Sequence, residues 1–250
     1  MVYQNAYLQE YWPDEPQNRD MWEDNLELMR AYYAAALEIL NRRGCKVQAL
    51  DISTGPCLAP LLATMACIDD IWLSDFTKSS RKAIQEVPIS YWRNYAKYLI
   101  DEFALEISEG ALLDQLDRLR TSHQVLDVDL ARRPVFLPES AEIGSLPLVT
   151  MHFVADSIGK EKQLYFEYLA TACSYVAERG FLLMSSLTDS QWWMLGGTRQ
   201  PSPGVTEQEV LSFLESKGFD IISVVRSRIK PQQTYDGGWI VTLVERREEQ

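Results

Sequence analysis

Two carboxylates closing two apolar runs are the residues best placed for chemistry. Residues 47–52 (Val-Gln-Ala-Leu-Asp-Ile) lead into the bend Ser53-Thr54-Gly55-Pro56, and residues 70–76 end on Asp75-Phe76, with Asp75 lying 24 positions after Asp51. A strand that enters a turn of small residues and then a helix places backbone N–H groups beside a ligand at the carboxyl edge of a parallel sheet. An acid ending the next strand can accept both hydroxyls of a ribose. The pattern predicts a nucleoside-bearing ligand held by Asp51, Ser53, Thr54, Gly55, Pro56, Asp75 and Phe76. The spacing fits both a dinucleotide and S-adenosylmethionine. A pyrophosphate calls for Gly-x-Gly-x-x-Gly, whereas this bend has one Gly and then a Pro at the expected first helical position, which weakens the dinucleotide reading.

Further candidates lie beyond this unit. Asp127 is expected to end a third strand, with Asp129 competing by register. Tyr7, Tyr11 and Trp12 either staple an N-terminal arm to the body or offer ring faces to a cation, each worth about 0.5–2 kcal/mol. Trp192 and Trp193 are adjacent and cannot both face one core, so one is a candidate pocket wall. Asp156, Asp236 and Asp189 could anchor an amine through a charge-assisted hydrogen bond, and each also suits a turn or cap. His152 is either a base or a hydrogen-bonded core residue.

Composition removes other classes. A net charge of −12 over 250 residues opposes a phosphate backbone, and the basic sites Arg42/Arg43, Arg132/Arg133 and Arg226/Arg228/Lys230 are short and scattered. Nucleic acid is therefore not an expected partner. Cys45, Cys57, Cys67 and Cys173 lack metal-ligand spacing and, with only His123 and His152 to join them, predict no metal. No apolar run reaches membrane length and no secretory leader is evident, so a cytoplasmic protein without a membrane partner is expected.

The elements that must position these residues follow from periodicity. Residues 1–20 read as an irregular arm or short helix, and 21–43 as a helix stopped by Gly44. Strand one (47–52) and its helix (56–66) precede strand two (70–76) and a short helix (78–86). Residues 89–121 form a helical insertion. Strands at 123–130 and 145–153, a helix at 160–178, a strand at 180–187 and a helix at 206–217 follow. Two last strands, 221–229 and 239–246, are joined by Asp236-Gly237-Gly238. Alternating strands and helices predict a parallel sheet, and the closing antiparallel pair suits a seven-stranded methyltransferase sheet.

Five segments carry a resemblance. Asp51-Ile52-Ser53-Thr54-Gly55-Pro56 resembles the Asp-Ile-Gly-Ser-Gly-Pro turn of the nicotinamide, phenylethanolamine and indolethylamine N-methyltransferases, and Ser74-Asp75-Phe76-Thr77 their strand-two ending. Tyr7-Leu8-Gln9-Glu10-Tyr11-Trp12 is similar to their Tyr-Leu-x-x-Tyr-Tyr arm, Leu126-Asp127-Val128 to their Cys-Asp-Val, and Trp193-Met194-Leu195-Gly196 to their Tyr-Met-x-Gly. The resemblance implies a single-domain α/β, Rossmann-like class I enzyme with a seven-stranded sheet. Residues 1–45 would form N-terminal cap helices and 87–122 an inserted helical lid. It implies S-adenosylmethionine as cofactor, a small-molecule acceptor, most simply an amine or heteroaromatic nitrogen, and a monomer.

Carried over by position, Asp75 would bind the ribose, Asp127 the adenine amino group, and Val128 the ring. Tyr7, Tyr11 or Trp12, and Gly55 would surround the methionine end. Ser80 and Thr150 complete the cofactor set. Asp156 (also the catalytic candidate), Ser185, Trp192, Trp193 and Asp236 make up the acceptor side. The sequence departs from the family at Ser53 (a Gly), Ala59 (a Tyr), Ser80 (an Asn) and Ser185-Ser186 (an acid). The last departure leaves oxygen, sulfur or carbon acceptors as alternatives, and Ser53 and Ala59 leave a non-catalytic cofactor-binding fold.

Overall fold

Strand β1 (Val47–Ile52) is buried on both faces, as a continuous apolar run in a parallel sheet requires. The computed structural model describes residues 2–13, 19–131, 144–227 and 234–248. Helices α1 (Val2–Tyr11) and α2 (Arg19–Arg43) precede β1. They are followed by α3 (Ala59–Thr64), β2 (Ile68–Asp75) and α4 (Lys78–Glu86). A 3-10 turn (Ile89–Trp92), α5 (Arg93–Phe103) and α6 (Glu109–Thr121) form the insertion. Then come β3 (Leu126–Asp127), β4 (Leu146–His152), α7 (Ala155–Ile158), α8 (Lys162–Tyr175) and β5 (Val176–Thr188). A hairpin β6 (Trp192–Leu195) and β7 (Thr198–Pro201), α9 (Glu207–Ser216), β8 (Phe219–Arg226) and β9 (Gly238–Arg246) complete the chain.

The seven strands run in the order β3-β2-β1-β4-β5-β9-β8. β9 is antiparallel to both β5 and β8, while the other pairs are parallel. Between β1 and β4 the winding direction reverses, which opens a crevice at the carboxyl ends of those strands. Two apolar clusters cover the two faces. Ala49, Ile71, Leu73 and Leu148 pack with α2, α3, α5 and α6; Leu50, Trp72, Val149 and Met151 pack with α8 and α9. Period-two alternation then carries Asp51, Asp75, Thr150 and His152 onto the first face, at the carboxyl edge.

Several local expectations change. Of the two readings of the arm, the short helix forms, over Val2–Tyr11. The helix expected from residue 56 starts at Ala59, and Pro60 rather than Pro56 occupies its first turn. Strand 123–130 shrinks to two residues because His123 turns aside: its Nε2 lies 2.8 Å from Asp70 Oδ1, and its ring lies 5.6 Å from Trp72. The helix expected over 160–178 is α8, ending at Tyr175 because β5 starts at Val176, and a short α7 precedes it. The β6–β7 hairpin was not expected. Residues 228 and 229 of the last strand but one, and the basic pairs Arg132/Arg133 and Arg228/Lys230, lie outside the described residues. Among the described residues no helix is long and apolar enough to cross a membrane.

Candidate active site

The crevice encloses about 620 Å³. Its floor is the β1 turn, sewn to the end of β2. Thr54 N donates to Ser74 O (2.8 Å), and Ser74 Oγ donates to Asp51 O (2.8 Å) while accepting from Ser53 N (3.3 Å). Ser53 and Gly55 both sit in the left-handed region, at φ +56° and +57°. Glycine takes this conformation without cost; at Ser53 a side chain is held there by the contact with Ser74.

Asp75 ends β2 facing the crevice. Its Oδ2 accepts from Gly55 N (3.1 Å) and its Oδ1 from Thr77 N (2.9 Å), leaving each oxygen a further lone pair. Burial raises its pKa, and those N–H groups pull it back. Thr77 caps α4, accepting from Ser80 N (3.0 Å) and donating to Ser80 Oγ (2.8 Å), which brings Ser80 to the crevice wall. Asp51 also lines the crevice. Its Oδ1 accepts from Thr150 Oγ1, and burial pushes its carboxyl up to about 6. Thr150 itself lies behind Asp51 and does not line the cavity.

The apolar half of the crevice is built by Phe76, Val128 and Leu130, with Asp129 beside them. The expectation for Asp127 is corrected. Its side chain is 68% exposed and its Oδ1 pairs with Arg81 Nη1 (2.9 Å) from α4. β3 ends at Asp127 on the sheet edge, so the chain crosses the strand ends only afterwards and Asp129 meets the cavity.

A smaller recess of about 40 Å³ opens behind the crevice, sharing Tyr7, Trp12, Phe153, Ser157 and Trp193 with it. Asp156, fully buried on α7, lines this recess. Its Oδ1 accepts from Ser186 Oγ (3.3 Å), which accepts from the Tyr165 hydroxyl (3.0 Å). Ser186 has one proton to share between Asp156 and the Leu187 carbonyl (3.1 Å). Asp156 Oδ2 has no partner. Burial pushes the carboxyl up to about 7.

Other expected residues have structural duties. Tyr11 lines only the recess; its hydroxyl donates to Met194 O (2.7 Å) and accepts from Met194 N (3.0 Å), pinning α1 to β6. Ser185 lines neither cavity and accepts from the Tyr32 hydroxyl (2.8 Å). Trp192 lies under the Arg199 guanidinium (4.2 Å) and off both cavities, whereas Trp193 lines both. Asp236 lies off both cavities too and is a loop clasp. Its Oδ1 accepts from Ser190 Oγ (2.9 Å), Gln191 N (2.8 Å) and Trp192 N (3.2 Å). That clasp needs Gly237, where a Cβ would lie 2.2 Å from Thr188 O. Asp189 takes φ +55° in the loop after β5 and lines neither cavity. His152 lines the crevice, but burial lowers its pKa to about 3, so it is neutral and a poor base.

Sequence reasoning missed Asp24, Tyr235 and Trp239, which close the far end of the recess. A signal existed for Asp24: with Met21, Asn25, Leu28, Met29 and Tyr32 it falls on the buried face of α2 at helical spacing.

The site thus combines a strand-end carboxylate, a left-handed turn with an inward N–H, an apolar slot and an acid-bearing recess. That donor set fits S-adenosylmethionine: Asp75 for a diol, and Phe76, Val128 and Leu130 for a flat ring. A sequence profile of the NNMT/PNMT/TEMT family matches residues 3–247. Human phenylethanolamine N-methyltransferase is 23% identical over 194 residues, 75% of this chain and 67% of that enzyme. The pig enzyme is 23% identical over 184 residues, 69% of this chain and 62% of that enzyme. The matched region thus spans about two thirds of the length of these relatives.

Two solved structures share the fold. The 1,6-didemethyltoxoflavin-N1-methyltransferase of Burkholderia thailandensis, with S-adenosylhomocysteine bound, superposes with a TM-score of 0.53 at 14% identity, covering 99% of this chain and 88% of that one. The magnesium protoporphyrin IX methyltransferase of Synechocystis gives 0.59 at 10% identity, covering 97% and 93%. Sheet order and site geometry agree with the profile match, and the chain belongs to the NNMT/PNMT/TEMT family of S-adenosylmethionine-dependent methyltransferases.

Proposed function

We propose that the crevice holds the cofactor with Asp75 on the ribose, Gly55 and Tyr7 at the methionine end and Phe76, Val128 and Leu130 around the adenine, and that a small amine is methylated beside Asp156. Asp129 takes the adenine-side role first assigned to Asp127. When bound, S-adenosylmethionine supplies a methyl group on a sulfonium and leaves as a neutral thioether, so the acceptor nitrogen sheds a proton for each methyl gained. Methyl transfer of this kind asks the protein mainly for alignment and exclusion of water. Tyr7, Phe153 and Trp193 wall the passage between crevice and recess and supply the ring faces a cation prefers.

The observation that carries the amine reading is the partnerless Asp156 Oδ2, buried in the recess behind this passage. A fully ionised carboxylate would pair with an ammonium and hold it protonated. Asp156, with its pKa lifted towards neutrality, is instead suited to accept the proton at Oδ2. Assays with methyl-labelled cofactor against amines, phenols, thiols and heteroaromatic nitrogens test the reading. Transfer to amines is expected, and transfer confined to oxygen or sulfur would overturn it.

The arm acts as a lid over both cavities. Glu10 accepts from Gly196 N (2.8 Å) and Gly197 N (3.0 Å), beside the Tyr11 contact, so α1 is latched to the β6–β7 hairpin. Combining Glu10→Gln with Tyr11→Phe removes hydrogen bonds worth about 0.5–1.5 kcal/mol each. Steady-state kinetics should then show the KM for S-adenosylmethionine raised roughly three- to tenfold, with kcat little altered. An unchanged KM would deny the arm a part in closure.

A further inference from the structure

Asp24 is 1% exposed on α2, yet it carries an acid into the recess. Its Oδ1 accepts from Trp239 Nε1 (2.7 Å) and its Oδ2 from the Tyr235 hydroxyl. Both donors are neutral. As a strut between α2 and β9 the residue has no need of a charge. An asparagine would accept from the indole and donate to the phenol oxygen. Asp24 and Asp156 therefore place two buried carboxylates around one recess, and among the described residues lining it none is Lys, Arg or His. Two ionised acids in one recess are costly, and they escape that cost by holding protons or by taking up a cation. The unpaired Oδ2 of Asp156 leaves a position open for a donor.

The volume narrows the choice of cation. About 40 Å³ is room for about three waters, the scale of a short methylene chain with an ammonium head. We propose that Asp24 is a specificity-determining residue that binds a second ammonium of the acceptor, so that the substrate is an aliphatic diamine methylated at the nitrogen beside Asp156. This rests on the amine reading above. Tyr235 and Trp239 hold the Asp24 carboxylate in place, and each of its oxygens keeps a lone pair for the incoming donor.

The test compares kcat/KM for diaminobutane with butylamine, and for diaminopropane with propylamine, in the wild type and in Asp24→Asn. The wild type should favour the diamine by roughly tenfold to a hundredfold, the size of one hydrogen bond to a charged group. Asp24→Asn should collapse that ratio towards one, mainly through the KM of the diamine. Equal wild-type values for each pair would overturn the assignment, and so would a ratio that survives in Asp24→Asn. Equal wild-type values overturn it even if Asp24→Asn fails to fold, and Asp24→Glu, which keeps the charge, should then keep the diamine preference. Turnover of monoamines without a diamine preference removes only the role of Asp24. Turnover confined to phenols or thiols removes the amine reading together with it.

Discussion

Asp75→Ala is expected to weaken binding of S-adenosylhomocysteine by two to three orders of magnitude, measured by isothermal titration. A carboxylate facing a ribose accepts two hydrogen bonds, and each bond to a charged group contributes about 1.5–3 kcal/mol. Asp75 is also the acceptor that aims Gly55 N, so its loss loosens the turn as well as the sugar contact. Asp75→Asn separates the two effects, because one acceptor oxygen remains, and it should lose roughly tenfold. Asp127→Ala serves as the contrast. Its pair with Arg81 is exposed, and such pairs contribute about 0–1 kcal/mol, so binding should stay within about threefold. Wild-type affinity in Asp75→Ala would put the nucleoside elsewhere and dismantle the site as drawn.

Asp156→Asn should lower kcat/KM for an amine acceptor by about a hundredfold to a thousandfold, the usual loss on removing a positioned base. Cofactor binding should persist, since Asp156 lines the recess rather than the crevice. In the wild type, kcat/KM should rise with pH through about 7 as Oδ2 becomes able to take the proton, and the variant should lose that rise. The groups acting on Asp156 are Tyr7 and Tyr11 from α1, Tyr32 from α2 and Tyr165 from α8, while Asp24 from α2 and Tyr235 before β9 line the same recess. Burial raises every one of these phenols above its ordinary range, so only the acids titrate near neutrality.

The same burial reverses the usual pH dependence of stability. Asp156, Asp24 and Asp51 have folded-state values of about 7, 6 and 6, above the 3.8 of a free carboxyl. Between roughly pH 4 and 7 these three acids hold protons that the unfolded chain has lost, outweighing the one that buried His152 forgoes, so stability falls as pH rises through that window. Differential scanning calorimetry of the ligand-free protein should give a lower Tm at pH 8 than at pH 5. Asp156→Asn should raise the Tm at pH 8 by several degrees while abolishing most activity. A lower Tm for the variant at pH 8 would mean that its carboxylate stabilises the fold.

The parts of this protein legible in its amino-acid order are those set by neighbours along the chain. The runs ending at Asp51 and Asp75 are apolar, alternate with period two and stop at small or polar residues, so both acids had to reach the same edge of a buried sheet. Thr77 and Ser80 cap α4 within one turn, and the helices of 89–121 and the closing antiparallel pair form where periodicity placed them. Asp127 was misplaced because a two-residue edge strand carries too little pattern to settle register, and Arg81 claims its carboxylate from a separate helix. The same holds for Asp236, which looked like a turn residue and instead gathers the N–H groups of the loop after β5.

The recess was decided by tertiary structure alone. Asp24 meets Tyr235 and Trp239 from the opposite end of the chain, and Asp156 meets Ser186 and Tyr165 across the sheet. Backbone periodicity is a property of consecutive residues and survives in the sequence. The field around a buried carboxylate is the sum over elements brought together only by folding, so no local pattern announces it.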